Sequence, residues 1–126
     1  MAMAFEFPDS EVGSVTAVGD RLGVKFSAAH VHLTGTHAAE GYASAIELVF
    51  HGARWDGDPA QCFGALSGGW LRDEGIALPR VPLPFRSAGR VNAELSFRHG
   101  ECLSIEAASA TLQGEGESHF MASHAC

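Results

Sequence analysis

The two histidines of His30-Val-His32 are the residues in this chain best suited to carry chemistry. Side chains at i and i+2 of a strand point to the same side, so both imidazoles can reach one ion. His37 and Glu40 follow closely enough to add a third nitrogen and a carboxylate oxygen, a mixed donor set that suits a divalent transition metal. The competing expectation needs no cofactor. It places His30 and His32 on the outer face of a strand whose Val31 and Leu33 turn inward, and the sequence favours it because short HxH pairs are common.

The strand phase sharpens that choice. Counting in twos from Leu22, Val24 and Phe26 would bury Ala28, His30 and His32, whereas Val31 and Leu33 are the side chains that gain from burial. One regular strand cannot satisfy both. A β-bulge near Ser27-Ala28-Ala29 would reverse the phase and carry both histidines outward.

Other signatures of catalysis are missing. There is no phosphate-cradling GxxxxGK[ST], no GxGxxG, no GxSxG elbow and no HExxH. Cys62, Cys102 and Cys126 are widely and irregularly spaced, so neither a disulfide framework nor a CxxC motif is read, and reduced thiols are expected. His119, His124 and Cys126 form a loose set near the C-terminus that reads as a frayed tail. Trp55 and Trp70 lie in the turn-rich middle of the chain and are the candidates for an interaction surface.

The elements that must position these groups are strands. No window of a dozen residues holds apolar positions at helical spacing without a Gly or Pro interrupting it. Phe5 and Phe7 alternate ahead of a Pro8-Asp9-Ser10 turn. Residues 11–18 and 21–26 form a hairpin across Gly19-Asp20, and residues 42–51 read as one strand with Tyr42, Ser44, Ile46, Leu48 and Phe50 on a single face. Ser67-Gly-Gly69 reads as a hairpin turn between 61–66 and 70–72. Pro79, Pro82 and Pro84 demote their segment to an edge or an extended connection. A second hairpin joins 91–97 to 102–107, and a last strand is expected at 117–123. Leu48, Phe50, Leu95, Phe97 and Ile105 are expected in the core; Glu47, Glu94 and Glu106 are expected in water.

Eight or nine short strands with little or no helix predict a single all-β domain over 1–126, an antiparallel β-sandwich or flattened β-barrel. With 46% hydrophobic and 18% charged residues the chain has the balance of a globular protein. Fifteen carboxylates against eight scattered cations give a net charge of −7, which argues against nucleic acid and anionic membrane as partners. No secretory leader and no apolar run of membrane length is read, so a soluble cytoplasmic protein of bacterial type is expected. Open strand edges favour a homo-oligomer, and the acidic surface suits a protein partner.

Since no polar groups converge in the sequence itself, the expected function is a non-catalytic binding or protein-interaction module. The alternatives are a metal-binding barrel or metal-dependent enzyme built on His30 and His32, and a barrel enclosing a small apolar ligand.

Overall fold

The computed structural model describes residues 2–35, 38–114 and 120–122; for Ala2 and residues 120–122 the backbone alone is described. Thirteen strands run in the order β1 (Ala2–Val18), β2 (Arg21–Thr34), β3 (Ala39–Ala43), β4 (Ile46–His51), β5 (Arg54–Asp56), β6 (Gly64–Asp73), β7 (Ile76–Ala77), β8 (Val81–Leu83), β9 (Phe85–Ser87), β10 (Val91–Phe97), β11 (Cys102–Ala107), β12 (Ser109–Gly114) and β13 (Phe120–Ala122). A single 3-10 turn at Pro59–Gln61 is the only helical element among the described residues, capped by Asp58, whose carboxylate accepts from the Ala60 N–H at 3.0 Å. The chain is therefore all-β, and every strand pairing is antiparallel.

The count of eight or nine strands becomes thirteen among the described residues, because several expected strands are broken and short ones join them. The hydrogen-bonded path is β5-β11-β10-β6-β1-β2-β4-β12-β9, with β3, β7, β8 and β13 attached to its sides. One face along this path is buried in a single apolar cluster that joins Phe5, Phe26 and Leu48 to Leu71, Leu95 and Leu103.

Both expected hairpins are present. β1 and β2 pair from Val18↔Arg21 across Gly19-Asp20, with Gly19 in the left-handed region at φ 59°. β10 and β11 pair from Val91↔Ala107 to Ser96↔Cys102. Leu48, Phe50, Leu95, Phe97 and Ile105 are all buried. The proline-rich arm supplies the short strands β8 and β9, and β8 lies against the start of β1 with Val81 opposite Phe5.

The reversal of phase in β2 occurs as the sequence requires. Glu11 pairs with Ala28 and Val12 with Phe26, which leaves Ser27 as the extra residue of a bulge. Leu22, Val24 and Phe26 point into the core before it, Ala29 and Val31 after it, while Leu33 is half-buried near the strand end.

The neighbouring strand breaks at the same level, which corrects the single strand expected at 42–51. β4 pairs with β2 from Leu22↔Phe50 to Phe26↔Ile46, and β3 takes over from Ala29↔Ala43. Ser44 and Ala45 span the gap, Ala45 at φ 57°. A continuous strand would have put Tyr42 into the core; the break instead buries Ala43 and turns Tyr42 outward.

Ser67-Gly-Gly69 is likewise not a turn. It lies within β6, which runs unbroken beside β10 with a register shift near Phe97. A Cβ on Gly69 would sit 2.8 Å from the Glu94 carbonyl oxygen and 3.0 Å from the Phe7 side chain, so the glycine allows a close approach.

Glu47, expected in water, is buried beside Val49. Its carboxylate lies 3.6 Å from the Arg21 guanidinium, and this partner together with the close packing of Gly23 accounts for its burial. Glu47→Gln is expected to lower stability by roughly 1 kcal/mol in urea unfolding. The same change at Glu106, which is exposed, should leave the midpoint within error.

Candidate metal centre

The outer face of β1, β2 and β3 carries the candidate site. Glu6 pairs with His30 and His30 with Tyr42; Ala4 pairs with His32 and His32 with Glu40. Directly paired residues share a face, so Glu6, His30, His32 and Glu40 converge on the side away from the core. Phe5 and Val31, one position along, face inward. The alternation that builds the core thus also gathers the polar set.

Although His30 leaves the apolar core, it does not become exposed, and only 7% of its surface is accessible. It is covered by an excursion of β1 between Glu6 and Glu11, where Pro8-Asp9-Ser10 bulges outward with Asp9 at φ 66°. The His30 backbone N–H donates to Ser10 Oγ at 2.8 Å, and the Ser10 hydroxyl donates to the Glu6 carbonyl at 2.7 Å. The Pro8 carbonyl lies 3.2 Å from His30 Nδ1. Because a carbonyl only accepts, Nδ1 is the donor in this contact, and Nε2 is turned toward Glu40.

His32 Nε2 is 2.8 Å from Glu6 Oε2, and His30 Nδ1 is 3.4 Å from the same oxygen. From the other side Glu40 brings its carboxylate oxygens to 3.6 Å from His30 Nε2 and 3.8 Å from His32 Nδ1. One ligand atom each from Glu6, His30 and His32 lies within 4.8 Å of the others. Ligands held at ~2.0–2.2 Å from a tetrahedral ion are separated from one another by roughly 3.3–3.6 Å.

Burial opposes ionisation of Glu6, but the hydrogen bond and charge of His32, and then of Arg80, outweigh it and hold the carboxyl below its ordinary value. Arg80 Nε–H reaches Glu6 Oε1 at 3.4 Å, leaving Oε2 directed at the imidazoles.

Of the residues singled out in the sequence, His30, His32 and Glu40 are brought together, and His37 lies outside the described residues. So do His119, His124 and Cys126. Glu6 was missed. Its signal was the Phe5-Glu6-Phe7 alternation, which points Glu6 outward, but only strand pairing places it beside His30.

Trp55 and Trp70 differ in exposure. Trp55 pairs with Ile105 and packs on the core, Trp70 is exposed on β6, and both line one depression of about 430 Å³. Cys62 and Cys102 are free thiols. Burial, with the nearby carboxylates Glu101 and Asp58 and the Cys102 thiol, pushes Cys62 up to about 11, and burial with the Glu94 hydrogen bond raises Cys102, so both stay protonated and are poor ligands. No helix among the described residues is long and apolar enough to cross a membrane. Compared with known proteins, the chain matches no family model, no curated protein and no solved structure.

Proposed function

We propose that this protein is a non-catalytic binding domain whose ligand is a divalent transition metal ion, held by Glu6, His30 and His32, with the Glu40 carboxylate beside the two imidazoles. The observation that carries this reading is the convergence of one ligand atom each from Glu6, His30 and His32 within 4.8 Å of one another, with the Pro8 carbonyl holding the nearly buried His30 ring through Nδ1. A backbone acceptor on the far nitrogen is how a protein fixes a metal-ligating histidine. Two carboxylates, Glu6 among the ligands and Glu40 beside the same imidazoles, match the charge of a divalent ion.

An interior filled by the protein's own side chains favours this reading over a barrel enclosing an apolar ligand. A two-layered sandwich is the architecture proposed for the sheet, since its path ends at β5 and β9 without joining them. Those two edges are the proposed route to self-association, and cytoplasmic placement agrees with the two free thiols.

Equilibrium dialysis against Zn²⁺, Ni²⁺ and Mn²⁺ followed by elemental analysis tests the metal reading. One equivalent per chain is expected for at least one of the three ions, falling at least tenfold in His30→Ala and in His32→Ala and persisting in His51→Ala. Retention of the metal by the double variant His30→Ala/His32→Ala, or no uptake by the unaltered protein, would overturn it.

A further inference from the structure

A second polar array lies on the outer face of β5, β11, β10 and β6, and it shares no residue with the metal centre. The register sets two rows across these four strands. One row is Trp70, Glu94, Ser104 and Asp56; the other is Arg72, Asn92, Glu106 and Arg54. At ~4.8 Å between strands, each row is about 14 Å long. All four residues of the second row, with Trp70, Ser104 and Asp56 of the first, line a shallow depression of about 430 Å³ together with Trp55, Ala93 and Ile105. Trp70 stands at one end, 38% exposed, with the Arg72 guanidinium 4.7 Å above one face of its ring.

We infer that this face binds a neutral carbohydrate, with Trp70 as the stacking platform and Arg72, Asn92, Glu106 and Arg54 as hydrogen-bonding groups for ring hydroxyls. Donors and acceptors alternate along the second row: a guanidinium, an amide that does both, a carboxylate and a second guanidinium. A hydroxyl both donates and accepts, so a ligand rich in hydroxyl groups can satisfy neighbours of either kind. Two arginines against Asp56, Glu94 and Glu106 leave the face one charge negative, which disfavours phosphate- or sulfate-rich ligands. The guanidiniums at both ends of that row disfavour polycations.

The depression is too open and too polar for an apolar ligand. A large exposed indole in such a setting offers an apolar plane beside polar tips, which fits the C–H face of a sugar ring with its hydroxyls at the rim. The length of the rows accommodates two or three linked rings.

Affinity electrophoresis through gels containing a neutral β-glucan, xylan or galactomannan, followed by calorimetry with the matching oligosaccharide, reads this directly. Retardation by at least one neutral polymer is expected. Affinity should fall at least tenfold in Trp70→Ala and several-fold in Asn92→Ala and Glu106→Gln, with the thermal midpoint of each variant close to that of the parent because these side chains face outward. Trp70→Phe should keep part of the affinity. No retardation by any of the three neutral polymers would overturn the inference. So would binding confined to an anionic polymer such as polygalacturonate, or neutral-polymer binding that Trp70→Ala leaves unchanged.

Discussion

Phe5→Ala is expected to lower the unfolding free energy by roughly 3–5 kcal/mol, read as a fall in the urea midpoint at unchanged slope. The side chain is fully buried, and its ring lies 4.9 Å from that of Phe7, nearly edge-on, and 4.8 Å from that of Phe26. It is also flanked on both sides through the ladder, by Val31 of β2 and Val81 of β8. Neighbours fixed in three strands cannot collapse into the space it leaves, so the cavity cost adds to the lost transfer energy, and two aromatic contacts go with it. Against a total stability of about 5–15 kcal/mol, this single change brings the domain near its unfolding threshold. A loss below about 1 kcal/mol would mean that β1 does not sit against the core as described.

Saturating the metal centre is expected to stabilise the protein by about 2.7 kcal/mol at a free metal concentration one hundred times its dissociation constant. The increment should disappear in His30→Ala and in His32→Ala. Each variant is compared with itself, with and without metal, so any direct effect of the substitution on folding cancels. Metal competes with protons for the imidazole nitrogens, so the increment should shrink as the pH is lowered.

Glu6 behaves differently in the metal-free protein. Its folded value lies below its unfolded one, so its contribution is fully present above the ordinary carboxylate range and is lost only as pH falls through the lowered folded value. A decline of metal-linked stability that begins while the metal-free protein is still at full stability would separate the two effects. An equal increment in the double histidine variant would place the ion elsewhere.

Much of the fold was legible in the sequence because its hairpins are local. The alternation of Val91, Ala93, Leu95 and Phe97, answered by Leu103, Ile105 and Ala107, determines both which faces are buried and, through a short turn, which strands pair. The conflict of phase in β2 was legible for the same reason. Leu22, Val24 and Phe26 cannot share a regular strand face with Val31, so a bulge was required, and it falls at Ser27.

Where partners are distant in sequence, alternation is silent. Residues 42–51 alternate as well as any segment of the chain, yet they break at Ala45 because β3 and β4 must follow the bulge in β2. Glu47 occupies a position that alternation assigns to water, and it is buried because Arg21 is brought beside it. The candidate site divides in the same way. By itself the sequence determined that His30 and His32 share a side and turn away from the apolar core. Only the tertiary structure decided that Glu6, twenty-four residues earlier, meets them through the β1–β2 ladder, that the Pro8 carbonyl meets His30, and that Trp70 is exposed while Trp55 packs on the core. The period of a strand sets the direction of each side chain, while its neighbours are set by which strands pair and in what register.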